Sequence, residues 1–318
     1  MDDFAFQNIL VTGGTGFIGS HLVKELINLK ANVVVTSQSE NPRSYFSREK
    51  LESKVIKIPT DITDFEKVYH IVTKYDISYI YHFAAQPLVE VAYYNPRKTL
   101  QDNICGTINI CESARLFKHI KGVVVVSSDK AYGKLGKNKY SEQDELRGDH
   151  PYEVSKSAAD LIANSFFVTY QMPIVITRFG NVYGEGDLSF SRLVPGLIKS
   201  IISKETFCIR SNGKYVRDYL YVEDVVLGCL QLIKHIKKIK GEAFNFGSEE
   251  TLSVLDVIKL TEKSLGLKVD YKILNNSKNE IPYQSLDFRK IQKVLGWKPK
   301  HAFSEEIKKM YQWYQQII

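Results

Sequence analysis

Five side chains that can bind or move protons lie in two short stretches of the chain, residues 127–133 and 152–156. They supply a hydroxyl, a carboxylate, a phenol and two amines, and they belong to Ser128, Asp129, Lys130, Tyr152 and Lys156. Such groups, held against one substrate, can take a proton from one atom and give a proton to another. The sequence therefore predicts a catalytic site for proton transfer that is built from these two stretches.

Tyr152 and Lys156 have the i, i+4 spacing that places two side chains on one face of a helix. A free phenol has a pKa of about 10, so Tyr152 alone is a poor base at neutral pH. A nearby Lys156 ammonium and a cationic nicotinamide would favour the phenolate, which can take a proton from an alcohol as hydride leaves. Ser128 can hydrogen-bond the same alcohol oxygen. The set predicts alcohol oxidation; the alternative is a helix that only exposes a tyrosine and a lysine.

Asp129 and Lys130 are not needed for a simple alcohol oxidation, but a second proton transfer would use them. Oxidation of a sugar at C4 acidifies the hydrogen at C5. A base can then remove that proton while an acid helps the C6 hydroxyl leave as water. We expect Asp129 and Lys130 to share this work. A salt bridge or cap within a turn is the structural alternative, because Asp favours turns.

A glycine-rich run at residues 13–19 follows an apolar segment at residues 8–12 and precedes a segment of helical periodicity at residues 20–30. Strand, glycine turn and helix in this order are the context of a dinucleotide-binding motif. The glycines permit the tight turn, the approach of backbone to a pyrophosphate, and close packing of helix on strand. We predict cofactor contacts at Gly13, Thr15, Gly16, Phe17, Ile18 and Gly19.

The end of the second strand, residues 33–37, bears on which dinucleotide binds. An acidic residue there would bind the ribose 2′-hydroxyl and indicate NAD. The chain instead has Ser37, with Arg43 and Arg48 further on, which leaves room for a 2′-phosphate. The arginines can equally be exposed loop residues. These residues leave both NAD and NADP open, with Ser37 and Arg43 as candidate contacts.

Two further apolar segments, residues 55–58 and 79–83, are predicted strands of the same sheet. Asp61, after the first, can contact the adenine or cap the next helix, a role for which Asp64 competes. Small residues after the second leave room for a ligand at the carboxyl end of a strand. His82 lies in an apolar run, which favours a packed strand histidine. The candidate contacts here are Asp61, Ile62, Phe83, Ala84 and Ala85 for the cofactor and Gln86 for the substrate.

Strands that alternate with helices predict a parallel, doubly wound α/β sheet. We expect one long helix over residues 95–117, which includes Asn103, and a helix that begins near Pro151 with Asp149 as its cap. After residue 180 short strands and helices alternate irregularly.

The predicted fold is therefore a Rossmann-type NAD(P)-binding domain followed by a smaller α/β substrate-binding domain. The first covers residues 1–180 and the second residues 181–318, and residues 215–245 contribute to both.

The composition argues against several classes of protein. The net charge of +7 is scattered, which disfavours nucleic acid as a partner and suits an anionic small substrate. The cysteines have no CxxC spacing, so we expect reduced core thiols of a cytoplasmic protein and neither disulfides nor a metal site: Cys105, Cys111, Cys208 and Cys229. We expect no signal peptide and no membrane span, because apolar runs stay below about 18 residues.

Several of these motifs resemble those of the extended short-chain dehydrogenases/reductases, in particular the NAD-dependent epimerase/dehydratase family. The resemblance spans essentially the whole chain. It rests on Gly13-x-x-Gly16-x-x-Gly19, Ser128, Tyr152-x-x-x-Lys156, the run at residues 178–184 and the triplet at residues 217–219.

Within that family, three stretches resemble CDP-glucose 4,6-dehydratases: residues 82–89, 127–132 and 148–156. An Asp–Lys pair like Asp129–Lys130 also occurs in inverting UDP-N-acetylglucosamine dehydratases. The dTDP-glucose enzymes would carry Glu at position 130, and sugar epimerases usually lack an acid at position 129. The chain is somewhat short for a CDP-glucose dehydratase, and its C-terminal half looks closer to the general epimerase/dehydratase type.

The resemblance implies a nucleotide-sugar 4,6-dehydratase that uses NAD and recycles it in each turnover. It implies that Asn181 and Arg217 bind the diphosphate, with Arg192 as a further candidate, and that subunits pair through the helices at residues 95–117 and 152–170 as a homodimer or a dimer of dimers. The rival hypotheses are a sugar 4-epimerase or 4-keto reductase of the same fold, and a regulatory protein that binds a dinucleotide without catalysis.

Overall fold

Strands and helices alternate along the chain, as the hydrophobic periodicity predicts. The computed structural model describes residues 4–39, 41–137, 139–276 and 281–318. The strands are β1 (Asn8–Thr12), β2 (Asn32–Ser37), β3 (Ile56–Pro59), β4 (Tyr79–His82), β5 (Gly122–Ser128), β6 (Lys139–Tyr140), β7 (Ile174–Phe179), β8 (Asn181–Tyr183), β9 (Phe207–Ile209), β10 (Val216–Tyr221), β11 (Ala243–Phe246), β12 (Thr251–Ser253), β13 (Tyr271–Ile273) and β14 (Tyr283–Leu286). The helices are α1 (Phe17–Asn28), α2 (Tyr45–Arg48), α3 (Phe65–Lys74), α4 (Val89–Tyr94), α5 (Pro96–Leu100), α6 (Gly106–Leu116), α7 (Pro151–Tyr170), α8 (Leu193–Ser203), α9 (Val222–Lys234), α10 (Ile236–Ile239), α11 (Val254–Leu265), α12 (Arg289–Leu295) and α13 (Phe303–Gln315).

The central sheet consists of parallel strands in the order β11-β7-β5-β4-β1-β2-β3. The chain moves outward from β1 in one direction and then returns to build the other side, so the order reverses between β1 and β4. The crevice at such a reversal, outside the carboxyl ends of the strands, is where open α/β sheets bind ligands. The predicted doubly wound α/β fold is confirmed.

Helices cover both faces of this sheet, which explains its runs of valine. In β5, Val124 packs in the apolar cluster of one face, with α1 and α9, whereas Val123 and Val125 pack in the cluster of the other face, with α3, α6 and α7. A strand buried on both faces needs apolar residues at successive positions, since neighbouring side chains point to opposite sides.

A second sheet is assembled from strands that lie far apart in the chain. Its order is β12-β10-β14-β6, and β8 pairs with β10. Strand β6 comes from the connection between β5 and α7, whereas β11 and α9 follow residue 180 and yet pack with the central sheet. The two halves therefore exchange elements, and the division at residue 180 stays a prediction.

The predicted long helix at residues 95–117 is wrong in one respect. It is divided into α5 and α6 by a π-helical turn, Gln101–Cys105. Inside this turn the Asn103 carboxamide accepts from the Gln86 amide at 2.7 Å and donates to the Ser155 hydroxyl at 2.8 Å. The extra residue of a π-helical turn redirects a side chain, and these contacts retain Asn103 in its position.

One predicted helix cap, at the start of α7, is wrong, and the structure decides another, at the start of α3, that the sequence left open. His150, and not Asp149, caps α7: its Nδ1 accepts from the Tyr152 amide at 3.3 Å, and the Glu153 side chain completes a capping box. Asp64, and not Asp61, caps α3, where its carboxylate accepts from the Lys67 amide at 3.1 Å. Side-chain oxygen or nitrogen atoms at these positions satisfy amides that lack a partner within the helix.

The prediction that all four cysteines are core thiols is half wrong. Cys111 and Cys229 are buried, but Cys105 and Cys208 are exposed. Cys105 ends the π-helical turn, and Cys208 lies in the short strand β9, where the amphipathic pattern did not reveal which face is covered.

Within the described ranges, none of the helices has both the length and the apolar character that a bilayer span requires. Nor do His, Cys, Asp and Glu side chains there form a group of three that could hold a metal ion.

Candidate active site

A cleft of about 1820 Å³ runs along the carboxyl edge of the central sheet. Pockets for one small molecule usually have about 300–1000 Å³, so this cleft has room for a cofactor and a substrate together. Most residues predicted from the sequence as site residues line it, namely Gly13, Thr15, Gly16, Phe17, Ile18, Gly19, Ser37, Ile62, Phe83, Ala84, Ala85, Gln86, Ser128, Asp129, Lys130, Tyr152, Lys156, Asn181, Arg192 and Arg217.

Arg43 and Asp61 are not among the residues that line this cleft. Arg43 is exposed in the loop after β2. Asp61 lines a smaller neighbouring pocket of about 390 Å³, together with Ser37 and Lys98. Its carboxylate accepts from the amide and the hydroxyl of Thr63, at 2.9 and 2.7 Å, and these bonds lower the pKa of Asp61. Both residues remain predictions as cofactor contacts.

The turn between β1 and α1 fits a dinucleotide. Gly13 has a φ of 67°, and a Cβ there would lie 2.8 Å from the backbone nitrogen of Ala84, so only glycine lets β1 and β4 approach this closely. Gly16 is the N-cap of α1 in extended conformation, with no capping side chain among the described residues. The first amides of a helix lack intrahelical partners and favour an anion such as a pyrophosphate. The residues present therefore fit such a group.

Helix α7 brings Tyr152 and Lys156 into the cleft, and both are buried. Burial raises the pKa of Tyr152 to about 12, a rise that a hydrogen bond with Ser128 opposes and the Asp129 charge reinforces. Burial lowers the pKa of Lys156 to about 8, and its Nζ donates to the carbonyl of Val126 at 3.0 Å. In the chain by itself, desolvation thus outweighs the interactions that lower the Tyr152 pKa, which are those with Ser128 and Arg192. The expected lowering by Lys156 together with a cationic nicotinamide stays a prediction.

Buried contacts attach α7 to the sheet. Arg178 of β7 forms a bidentate ion pair with Asp160 of α7, at 2.8 and 2.9 Å, and both side chains are almost fully buried. The hydroxyl of Ser157 donates to the carbonyl of Ala131 at 2.7 Å. Because these bonds join α7 to β7 and to the turn after β5, the two stretches that are predicted to be catalytic lie next to each other.

That turn, the 3₁₀ segment Asp129–Tyr132, presents the Asp129–Lys130 pair. The hydroxyl of Ser128 caps the turn by accepting from the Lys130 amide at 3.2 Å, and it donates to the Asp129 carboxylate at 2.9 Å. Lys130 Nζ lies 3.0 Å from the second oxygen of that carboxylate. The pair thus forms the turn salt bridge that was the structural alternative, and it forms it where both side chains also line the cleft.

The candidate substrate residues differ in how free their side chains are. Arg217 of β10 donates to the carbonyl of Val216 at 2.8 Å, and Arg192 pairs with Asp187 at 3.1 Å. Gln86 closes its own turn, since its side chain accepts from the Leu88 amide at 2.9 Å and donates to the Leu88 carbonyl at 3.1 Å. Both polar groups of the Gln86 side chain are therefore bonded to Leu88 in the wall of the cleft.

Sequence reasoning missed Gln284 of β14. Its amide oxygen accepts from Lys130 Nζ at 2.5 Å, and its amide nitrogen donates to the carbonyl of Asp129 at 3.0 Å. The available signal in the sequence was a polar pair, Gln284 and Ser285, inside a short strand-like run.

The interpretation of His82 as a packed strand histidine is confirmed: it is buried, its Nδ1 lies 2.8 Å from the Thr12 hydroxyl, and burial lowers its pKa to about 3.

Comparisons with known proteins find relatives over nearly the whole chain. The family model described as GDP-mannose 4,6 dehydratase matches residues 10–310. An uncharacterised protein of Methanocaldococcus jannaschii is 32% identical over 97% of this chain and 96% of the relative. The dTDP-D-glucose 4,6-dehydratase of Bos taurus is 31% identical over 99% of this chain and 90% of the relative.

Among solved structures, DesIV, the dTDP-glucose 4,6-dehydratase of Streptomyces venezuelae with NAD and TYD bound, superposes with a TM-score of 0.88 at 25% identity, over 98% of each chain. The UDP-glucuronic acid 4-epimerase of Bacillus cereus, in complex with UDP-glucuronic acid and NAD, has a TM-score of 0.88 at 27% identity, over 98% of this chain and 100% of the other. Dehydratases and epimerases are thus both similar to this chain.

Proposed function

We propose, since the chain belongs to the GDP-mannose 4,6 dehydratase family, that it is a nucleotide-sugar 4,6-dehydratase with NAD as its cofactor. The reaction converts an NDP-hexose to an NDP-4-keto-6-deoxyhexose with net loss of one water. The observation that carries the proposal is the position of the Asp129–Lys130 pair, which lines the same cleft as Tyr152 and Lys156. Sugar oxidation alone would leave that second acid–base pair with only its structural role as a turn salt bridge.

Cofactor binding rests on the turn at Gly13 and Gly16, whose backbone admits a pyrophosphate. When bound, NAD supplies a hydride acceptor for the first redox step, a hydride donor for the last, and a positive charge on its oxidised ring. Relatives crystallised with NAD support this choice. The second strand ends in Ser37 and not in an acid, so the affinity of the protein for NADP should be measured as well as its affinity for NAD.

The first step at the sugar is loss of the C4 hydroxyl proton. Tyr152 takes this proton, and Ser128, which hydrogen-bonds Tyr152, orients the alcohol oxygen. Because burial raises the Tyr152 pKa in the chain alone, the phenol becomes an effective base only next to positive charge. Lys156, fixed by the carbonyl of Val126, contributes such charge while it is protonated.

Loss of water then uses the Asp129–Lys130 pair. The neutral amine of Lys130 takes the C5 proton, the C5–H electrons form the C5–C6 double bond, and the C6–O bond breaks as Asp129 gives its proton to the departing oxygen. The pair thereby ends as carboxylate and ammonium. This is again the salt bridge of the structure, and transfer of a proton across the 3.0 Å contact from Lys130 to Asp129 gives the neutral amine and the carboxylic acid with which the step begins, so no outside proton is consumed.

Three side chains that line the cleft support the binding of a diphosphate, namely the cationic Arg217 and Arg192 and the amide Asn181. Guanidinium groups bind phosphate oxygens through several charge-assisted hydrogen bonds. We assign Arg217 and Asn181 to the diphosphate, with Arg192 as the further contact.

The test is to incubate the purified protein with NAD and a panel of CDP-glucose, UDP-glucose, dTDP-glucose, GDP-mannose and UDP-N-acetylglucosamine, and to measure product mass. Loss of one water without net consumption of NAD supports the dehydratase. An unchanged mass with inverted stereochemistry at C4 would instead support the 4-epimerase, which the similarity to the Bacillus cereus enzyme makes the second candidate. Failure to turn over any of these sugars would favour a non-catalytic dinucleotide-binding protein.

We also propose that two subunits pair through α6 and α7. Exposed apolar side chains on α7 recur at a seven-residue interval, at Val154, Leu161 and Val168, with Ile108 and Leu116 on the adjoining helix α6. Such a stripe is suited to helix packing. Light scattering should give a dimer mass or twice that mass, and Leu161→Glu should reduce it to that of a monomer.

The cytoplasmic location expected from the cysteine usage stays a prediction.

A further inference from the structure

Gln284 lies within strand β14 and is 1% exposed. The oxygen and the nitrogen of its side-chain amide both form hydrogen bonds to the same dipeptide, Asp129-Lys130. Its oxygen accepts from Lys130 Nζ at 2.5 Å, and its nitrogen donates to the Asp129 carbonyl at 3.0 Å. One side chain from the second sheet therefore holds the lysine head group and the backbone of the neighbouring aspartate at the same time.

Without such a contact the geometry of the Asp129–Lys130 pair would be loose. A lysine side chain has four rotatable bonds and carries about 2 kcal/mol of rotamer entropy, so it rarely stays in one conformation by itself. Lys130 is 20% exposed at the cleft, where solvent competes for its ammonium group. A fixed acceptor opposite Nζ selects the conformers in which Nζ stays near the Asp129 carboxylate.

Strand β14 also connects this contact to the phosphate side of the cleft. It pairs with β10 in parallel register, with Gln284 opposite Arg217. Gln284 therefore lies between the arginine assigned to the diphosphate and the pair assigned to the sugar carbons. The distance between those two parts of the cleft depends on this strand pairing.

We propose that Gln284 is a positioning residue for water loss: it holds Lys130 and Asp129 at the distance from each other, and from the diphosphate-binding strand, that transfer of protons at C5 and C6 requires. It does not touch the reacting atoms. The inference rests on the proposed dehydratase function. The competing explanation is that a buried amide has to be hydrogen-bonded and that Gln284 merely attaches β14 to the catalytic turn.

The two explanations differ in which half of the reaction they affect. In Gln284→Met the chain length is kept and both hydrogen bonds are lost. We expect water loss from the hexose that the wild type dehydrates in the panel to slow roughly 10- to 100-fold, the range expected for losing a hydrogen bond to a charged group. C4 oxidation is measured separately with the 6-deoxy analogue of that nucleotide sugar, from absorbance of reduced NAD, and should change by less than about twofold.

Gln284→Glu adds a readout that a structural role would not move. It keeps an acceptor for Lys130 but places a carboxylate beside it, which favours the ammonium form. Since the C5 base must be neutral, the acidic limb of the pH profile for water loss should move upward by about one pH unit, while that for oxidation of the 6-deoxy analogue stays in place. This variant also decides the question if Gln284→Met fails to fold.

Asn245→Leu is the matched control. Asn245 is a buried amide of β11 that donates to the Tyr140 carbonyl and accepts from the Tyr132 hydroxyl, and within the described part of the chain it forms no hydrogen bond to Asp129 or Lys130. It should lower thermal stability without changing the ratio of water loss to oxidation. Equal losses of both rates in Gln284→Met and Asn245→Leu, or an unmoved pH profile in Gln284→Glu, would overturn the positioning role. A wild type that dehydrates no sugar would overturn the proposed function itself.

Discussion

Two pairs of side chains lie in the same cleft, and contacts of very different range hold them. Tyr152 and Lys156 belong to one helix, whose start is fixed by its neighbours in the chain, Pro151 and the capping His150. Asp129 and Lys130 are consecutive residues, yet their arrangement depends on Gln284, which follows Lys130 by 154 positions. The pair assigned to oxidation is thus locally encoded, whereas the pair assigned to water loss needs the second sheet.

This difference suggests how one fold supports several reactions. The proposed oxidation step uses a helix, a strand end and a glycine turn, all of which belong to the central sheet and the helices that cover it. The additional proton transfers need a strand from the other half of the chain to be placed correctly. We therefore expect substitutions near the helix to stop both steps, and substitutions near β14 to separate them.

Tyr152→Phe should have the largest effect, because it removes the hydroxyl that takes the first proton. Both C4 oxidation and water loss should fall by about 10²- to 10⁴-fold, the range for loss of a general base. Product formation by mass spectrometry and absorbance of reduced NAD check the two steps. Tyr170→Phe, at the exposed end of the same helix, is the control and should behave like the wild type. A Tyr152→Phe variant with normal oxidation would remove Tyr152 from the mechanism.

Asp129→Asn and Lys130→Met should separate the steps. Each removes one member of the second pair, so water loss should slow by about 10²-fold, while oxidation of a 6-deoxy nucleotide sugar changes little. The control is Lys118→Met, an exposed lysine that precedes β5 and so lies at the opposite end of that strand from the turn. If Asp129→Asn kept full dehydratase activity, the assignment of Asp129 as the acid would be wrong, and the pair would be only a turn salt bridge.

The sequence predicts the locally encoded half well, for physical reasons. Valine runs, a glycine turn and helical periodicity each depend on a few neighbouring residues, so the sheet and the position of Gly13 follow from pattern alone. The i, i+4 spacing of Tyr152 and Lys156 likewise specifies a shared face without any tertiary information.

The other half depends on contacts that no local pattern contains. Gln284 becomes important only because β14 pairs with β10 and β6, strands from two separate parts of the chain. The π-helical turn around Asn103 results from its bonds to Gln86 and Ser155, and the exposure of Cys208 depends on what packs against β9. The burial that raises the pKa of Tyr152 in the chain alone could not be predicted either, since charge spacing along a helix does not reveal how fully the phenol is buried.

Gly13→Ala tests the local side of the comparison. The added Cβ would lie 2.8 Å from the backbone of Ala84, so β1 or β4 has to move. A displacement that costs about 1.4 kcal/mol of binding energy would weaken NAD about tenfold, which a calorimetric titration can measure. Gly136→Ala is a matched control, because Gly136 also has positive φ, at 70°, but a Cβ there meets nothing within 4 Å among the described residues. Equal affinity of both variants for NAD would mean that the close approach at Gly13 is not needed for cofactor binding.

The smallest effect we expect is on the pH dependence of oxidation. Burial lowers the pKa of Lys156 to about 8, so its ammonium form is present below that pH and is lost as the pH rises through it. The ammonium favours the Tyr152 phenolate, and the phenolate fraction itself rises about tenfold per pH unit below the Tyr152 pKa. The kcat/KM for the 6-deoxy sugar should therefore rise with pH up to about pH 8 and level off above it, and this levelling is the alkaline limb of the profile. Lys156→Met has lower activity but no group to titrate, and its residual rate should lack this alkaline limb, whereas Lys118→Met should keep it. If Lys156→Met retained the limb, the titrating group would have to lie elsewhere, and the local pair would not control the oxidation step by its charge.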